Sequence, residues 1–214
     1  MYIAIEGVIG VGKTSLARLL QPKFKSDLLL EVFEENPFLS DFYADRKRYA
    51  FQTQIFFLLS RYRQQREAVP EALSKGNLIS DYTFSKDALF AQLNLDGDEL
   101  ETYHQVHEAL AERVHIPDLT VYLKANTDVA MHRIAMRDRP YERNMDRNYI
   151  DELNTAYDNF FTAAEHGEVL VIDTSSLDFV ARDEDLETIN KRIRAALGIP
   201  PYQRQLPFQE GKTP

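Results

Sequence analysis

The chain has 214 residues and carries 25 Lys and Arg against 34 Asp and Glu, a formal net charge of −9. That length suits one ample domain with a sizeable core, and a pI near 5.1 excludes general attraction to a nucleic-acid polymer or an anionic membrane. The absence of cysteine excludes disulfides, thiolate metal sites and cysteine nucleophiles, and agrees with a reducing, cytoplasmic setting. Small molecules or proteins are therefore the expected partners. The N-terminus enters an apolar run with no basic region before it, so no signal peptide is expected, and no apolar stretch approaches the length of a membrane span.

Short apolar runs alternate along the chain with longer segments of helical period, the pattern of a parallel sheet wrapped by helices. Strands are expected at Tyr2 to Glu6, Leu28 to Phe33, Asn77 to Asp81, Leu119 to Leu123 and Val169 to Asp173. Being rich in Ile, Val and Leu, they read as buried on both faces. Helices are expected at about 13–21, 38–45, 47–68, 84–93, 98–114, 127–137, 147–165 and 184–197, with Pro22 closing the first. Residues 1–198 then form one domain, and the Pro-rich residues 199–214 an extended tail.

Between the first strand and the first helix, Gly7-Val8-Ile9-Gly10-Val11-Gly12-Lys13-Thr14 fits the phosphate-loop pattern, with Ser15 following. Glycines are needed there because the backbone N–H groups must turn inward around phosphate oxygens, where a Cβ would obstruct them. Lys13 adds a point charge, Thr14 a hydroxyl for Mg²⁺, and the helix N-terminus a partial positive charge aimed at the same anion. No Asp precedes a glycine at the spacing of a GTPase switch. Instead Asp81 ends the third strand, at the sheet edge where ligands gather. A carboxylate there can hold Mg²⁺ through water or accept a proton from an attacking hydroxyl. Further on, Arg133 and Arg137 share a helix face and Pro140 ends that helix. Arg139 and Arg143 are then expected in a mobile basic lid over a nucleoside triphosphate.

With these motifs in order, the chain resembles the deoxynucleoside kinase family, and within it the bacterial branch acting on purine deoxynucleosides. The resemblance spans about residues 1–180. It rests on Gly7 to Thr14, Glu31, Glu35-Asn36-Pro37-Phe38-Leu39 with Phe42-Tyr43, Phe51-Gln52-Thr53-Gln54 followed by Arg61, Asp81 with Asp87, and Arg133 to Glu142. It implies an α/β P-loop kinase fold with a five-stranded parallel sheet flanked by helices and an arginine-rich lid. It also implies ATP as phosphate donor, Mg²⁺, and a homodimer. Glu31 would approach the 5′-hydroxyl and Asp81 would act as general base, while Gln54, Arg61 and Asp87 surround the base. Tyr43 and Glu142 would hold the sugar 3′-hydroxyl, and Arg133, Arg137 and Arg139 fall on the lid arginines.

One departure stands out. The family's third strand usually ends acid-Arg-Ser, and here it reads Asp81-Tyr82-Thr83, a Tyr shared with the deoxyguanosine-phosphorylating bacterial branch. The resemblance thus implies deoxyguanosine ahead of deoxyadenosine. Two other functions compete with this reading, a thymidylate-type monophosphate kinase and a nucleotide-binding regulator without chemistry. The first would need a basic acceptor-phosphate pocket where this chain carries the acids Glu31 and Asp81, and the second is disfavoured by the presence of both Lys13 and Asp81.

Overall fold

The structure is a computed structural model that describes residues 1–162 and 167–201. Among these residues five strands form one parallel sheet: β1 (Tyr2–Gly7), β2 (Ser26–Leu29), β3 (Asn77–Ser80), β4 (Leu119–Lys124) and β5 (Val169–Asp173), in the order β2-β3-β1-β4-β5. The central strand pairs Ile3 with Ile79 on one side and with Leu119 on the other. Every residue of β1 is buried. Its alternation divides two apolar clusters, Ile3 and Ile5 entering the larger and Tyr2 and Ala4 the smaller. Helices cover the sheet: α1 (Lys13–Phe24), α2 (Leu39–Ala44), α3 (Arg46–Lys75), α4 (Lys86–Asn94), α5 (Gly97–Ala111), α6 (Thr127–Arg137), α7 (Arg147–Thr162) and α8 (Asp183–Ala196).

The expected elements are all present, but four boundaries moved for identifiable reasons. β2 begins and ends earlier than expected because only Ser26–Leu29 has a partner in β3. Past it the Asp81 N–H still bonds the Leu29 carbonyl, while the Glu31 N–H turns to the Asp81 carboxylate at 2.8 Å, so Glu31 lies beyond the strand and not at its end. Pro22 does not close α1, which continues to the buried Phe24 and stops at Lys25 in the left-handed region. Likewise α3 runs through Pro70 to Lys75, since Val69 and Ala72 keep its apolar stripe in the core. A single proline removes one ladder bond, which packing on either side can outweigh. The expected end of the 147–165 helix lies partly outside the described residues, as does nearly all of the expected 199–214 tail.

The penultimate residue of β1 is charged and fully buried. The Glu6 carboxylate accepts from the Gly7 N–H (3.2 Å), the Thr83 N–H (2.5 Å), the Thr83 hydroxyl (3.0 Å) and the Tyr157 hydroxyl (3.2 Å). One side chain thereby ties the root of the phosphate loop to the segment after β3 and to α7. Its removal would leave several buried donors unpaired, each costing about 1–3 kcal/mol. Glu6→Ala should lower unfolding stability by about 3–5 kcal/mol, measured by urea denaturation. A loss under about 1 kcal/mol would mean that the cluster is not a structural anchor.

Candidate active site

The phosphate loop leaves β1 and is clamped from three sides. Gly10 and Gly12 have φ of +85° and +104°, and a Cβ at Gly10 would lie 2.6 Å from the Ala130 carbonyl oxygen, at Gly12 2.8 Å from the Phe179 ring. Val8 and Val11 are buried beneath the loop. The Lys13 ammonium bonds the carbonyls of Gly7 (2.8 Å) and Val8 (3.2 Å), curling back over the loop whose N–H groups would meet phosphate. Arg133 braces the same loop. Its guanidinium donates to the Val11 carbonyl at 3.1 Å, to the Thr174 carbonyl and hydroxyl, and to the Leu177 carbonyl. Arg133 borders the wide cavity beside the loop together with Arg137 and Arg139, but its guanidinium is engaged by three backbone carbonyls and the Thr174 hydroxyl.

Two cavities meet at this loop. One, of about 750 Å³, is lined by Lys13, Thr14, Glu31, Tyr43, Gln54, Arg61, Asp81, Lys86, Arg137, Arg139 and Glu142, among others. The other, wider and of about 1720 Å³, lies on the far side, between residues 10–15 of the loop, α6 and the segment 177–181. Lys13, Thr14, Arg137 and Arg139 border both. In a chain of net charge −9, the first cavity has five cationic side chains, Lys13, Arg61, Lys86, Arg137 and Arg139, against three acidic ones, Glu31, Asp81 and Glu142.

At the mouth of the loop Asp81 accepts from the Thr14 hydroxyl at 2.5 Å and, through its other oxygen, from the Glu31 N–H. Hydroxyl and carboxylate oxygens side by side are the hard donors that suit Mg²⁺. Deeper in, Arg61 sits between two carboxylates, paired with Asp87 and, through Nε at 3.1 Å and through Nη2, with Glu31. Lys86 reaches the other Glu31 oxygen at 2.9 Å. Burial alone would raise the Glu31 pKa, but Arg61 and Lys86 more than offset it and hold the group below the ordinary carboxylate range. Asp87 is fully buried beside Arg61, and Gln54 is buried on the same helix as Arg61.

The lid segment gathers around one buried carboxylate. Pro140–Glu142 forms a 3₁₀ turn, and Glu142, buried, accepts from Arg137 at 2.7 and 2.5 Å, with Arg139 at 3.7 Å. Arg139 also lies 3.8 Å from the Phe33 ring centre. The Tyr43 ring stacks on that of Tyr141 at 6.0 Å, beside the same turn. Arg143, in the loop that follows the turn, pairs with Asp138 at the surface. Ser15 is exposed after the loop, and Ile9 lines the smaller cavity.

Two members of the site escaped the sequence reading. In the sequence Glu6 is only the last residue of the first expected strand and Lys86 has no role within the expected 84–93 helix, yet both are buried and bonded to residues far away in sequence. Tyr82, the residue in place of the family's Arg, is wholly buried in the smaller apolar cluster, its hydroxyl donating to Gln64 at 2.7 Å.

A parallel sheet with a phosphate loop at its carboxyl edge, an oxygen pair at Thr14 and Asp81, and an arginine turn between two cavities defines a P-loop phosphotransferase. The family model described as deoxynucleoside kinase matches residues 3–197, and the chain belongs to that family. It is 35% identical over 198 residues to a deoxyguanosine kinase of Bacillus subtilis, covering 90% of this chain and 96% of that one. It is also 35% identical over 164 residues to a deoxyadenosine kinase of Dictyostelium discoideum, covering 74% and 66%. Among solved structures, deoxyadenosine kinase of M. mycoides with the products dCMP and a flexible dCDP bound superposes with a TM-score of 0.79 at 27% identity, covering 91% of this chain and 99% of that one. The chain is a deoxynucleoside kinase, and the monophosphate kinase and the non-catalytic regulator weighed from the sequence give way to it. Among the described residues no helix is long and apolar enough to cross a membrane.

Lys13 offers a direct test of the loop. Burial first, and then the neighbouring Lys86, push its pKa down to about 8. A bound triphosphate favours the charged ammonium, so above that pH binding must take up a proton and affinity must fall as pH rises. Titration calorimetry of ATP at about pH 8.5 in buffers of differing ionisation enthalpy should show this uptake, and Lys13→Met should abolish it. Identical proton uptake in the variant would place the titrating group elsewhere.

Proposed function

We propose that this deoxynucleoside kinase transfers the γ-phosphoryl group of ATP, with Mg²⁺, to the 5′-hydroxyl of a purine deoxynucleoside, deoxyguanosine ahead of deoxyadenosine. The observation that carries the purine reading is Arg61 locked between Glu31 and Asp87 with Gln54 on the same helix. It pairs with the Asp87 carboxylate, an acceptor, and leaves the remaining guanidinium N–H groups as donors. Guanine offers N1–H and N2–H₂ to an acceptor and O6 to a donor, whereas adenine offers only N6–H₂ as a donor on that edge. Each buried group left unpaired costs about 1–3 kcal/mol, or roughly 5- to 150-fold in selectivity. Deoxyguanosine kinases among the relatives, three of them bacterial at 31–35% identity, support this choice. The deoxyadenosine reading is supported by the M. mycoides structure and the D. discoideum relative, because Asp87 can accept from N6–H₂ while Gln54 turns its amide to N1. Phosphoryl transfer from labelled ATP across a panel of nucleosides and monophosphates tests the activity. kcat/KM should be greatest for deoxyguanosine, with thymidine far behind both purines, and a clear preference for deoxyadenosine would overturn the guanine choice alone.

In this reading the nucleoside occupies the smaller cavity and the donor lies along the wider one, meeting at Lys13 and Thr14. Thr14 and Asp81 would hold Mg²⁺, which when bound neutralises β- and γ-phosphate oxygens. Tyr43 and Glu142 would face the 3′-hydroxyl once Arg137 is drawn from Glu142 to the transferring group, and Arg139 would follow. Arg133 acts through the loop it braces. As in the resembled family, the assembly would be a homodimer.

The expected general-base role of Asp81 shifts to Glu31 in this proposal. Asp81 is tied to the phosphate-loop side by the Thr14 hydroxyl it accepts from, its other oxygen taking the Glu31 N–H. Glu31, kept ionised by Arg61 and Lys86, is the acceptor for the 5′-hydroxyl proton, and a loose transition state asks little basicity of it. Glu31→Gln should lower kcat by about 10²- to 10⁴-fold at any Mg²⁺ concentration, whereas the loss in Asp81→Asn should shrink as Mg²⁺ is raised. If the Mg²⁺ dependence instead follows Glu31→Gln, the two roles are exchanged.

A further inference from the structure

We infer that Lys86 is a further catalytic residue, the cation that meets the phosphoryl group from the acceptor side as it arrives at the nucleoside 5′-oxygen. The inference rests on the proposed function. Lys86 is the first residue of α4 and only 3% exposed. Its ammonium borders the same cavity as Lys13, Thr14 and Asp81, and Lys13 senses it as a neighbouring like charge. Burying an ammonium is costly without a partner. The one it has, Glu31 at 2.9 Å, already receives two N–H donors from Arg61. The Lys86 ammonium thus shares Glu31 with Arg61, whose other carboxylate, Asp87, it does not reach. The aromatic rings of Tyr82 and Phe90, each 5.9 Å from the ammonium, give it π faces but no lone pair. An ammonium has three N–H donors, and a dianionic 5′-phosphate is the group whose arrival would employ those that Glu31 does not take.

The strand end explains why the charge comes from a helix. Asp81-Tyr82-Thr83 has no cation, and the Tyr82 hydroxyl is committed to Gln64. Lys86, five residues after Asp81, carries the positive charge back to the place the strand leaves without one. During transfer the nucleoside O5′ forms a bond to the γ-phosphorus as the bond to the β–γ bridging oxygen breaks. The bridging oxygen leaves on ADP with the electron pair, and the hydroxyl proton passes to Glu31. As Glu31 becomes neutral, Lys86 is released from it to the new phosphate monoester. The same contact that assists transfer then holds the product.

The test compares ligands that differ only in that phosphate. Calorimetry of the wild-type enzyme, Lys86→Met and Lys86→Arg with deoxyguanosine and with its 5′-monophosphate, alongside steady-state kinetics, separates a phosphate contact from general support of the pocket. Lys86→Met should weaken the monophosphate at least 10-fold while nucleoside affinity stays within about 3-fold, and should lower kcat about 10- to 10³-fold with little change in nucleoside KM. Lys86→Arg should recover part of both losses. In a Glu31→Gln background, Lys86→Met should still weaken the monophosphate, because the contact is direct. Equal weakening of both ligands, an unchanged kcat, or no added loss in the Glu31→Gln background would overturn the inference. Should Lys86→Met not fold, Lys86→Gln carries the same comparison. Failure of the wild-type enzyme to phosphorylate any purine deoxynucleoside would instead count against the proposed function.

Discussion

Three strand ends are held together by the Asp81 carboxylate. It follows β3, and it accepts from Thr14, which the β1 loop delivers, and from the backbone of Glu31, which follows β2. Parallel strands place their carboxyl ends at one edge but do not by themselves set how far each chain runs beyond it. The two hydrogen bonds of Asp81 do so, fixing the loop hydroxyl and the Glu31 side chain on either side of one carboxylate. The phosphate loop and the Glu31 side of the cavity therefore share a single geometric reference. Glu6 performs a related task one layer deeper, joining the base of the loop to Thr83 and Tyr157.

Around that reference the site is built from ion pairs that are complete without substrate. Arg61 and Lys86 hold Glu31, Arg61 holds Asp87, and Arg137 holds Glu142. Such groups in a low-dielectric cavity would be costly if left unpaired. Pairing them with one another keeps the empty site stable and its side chains ordered. The cost falls on binding, because a substrate hydroxyl or phosphate must compete with an existing partner. Selectivity follows from the same competition, since only a ligand that satisfies every displaced group recovers what was given up.

The parts of this arrangement that were legible in the sequence are local. The phosphate loop is one contiguous segment, Asp81 stands at the end of an apolar run, and Arg137 and Glu142 are five residues apart. Gln54, Arg61 and Asp87 could be named only through resemblance, yet the fold brings Arg61 and Asp87 into one ion pair. Lys86 and Glu6 were not legible because a charged side chain is almost never fully buried, and nothing near either residue signals the partner, 55 residues away for Lys86 and 77 for the Thr83 contact of Glu6. β2 was misplaced for a different reason. Apolar residues continue past Leu29, but a strand ends where its partner ends, and that partner is set by the sheet. The prolines of α1 and α3 show the same precedence of packing over local propensity.

The distribution of charge gives the acidic balance of the chain a meaning that composition alone could not. An exterior dominated by carboxylates repels polyanions that come within a Debye length, about 8 Å at physiological ionic strength. A cavity with an excess of cations attracts a small anion only once it has entered, where screening is weak. A nucleoside triphosphate is small enough to reach the loop and gains the full benefit of Lys13 and the helix N-terminus behind it. A nucleic-acid polymer would bring its backbone against the acidic surface before any phosphate reached the cavity. Net charge and local charge therefore act on different ligands, and the same chain can exclude long polyphosphates while concentrating its positive charge where one phosphoryl group changes hands.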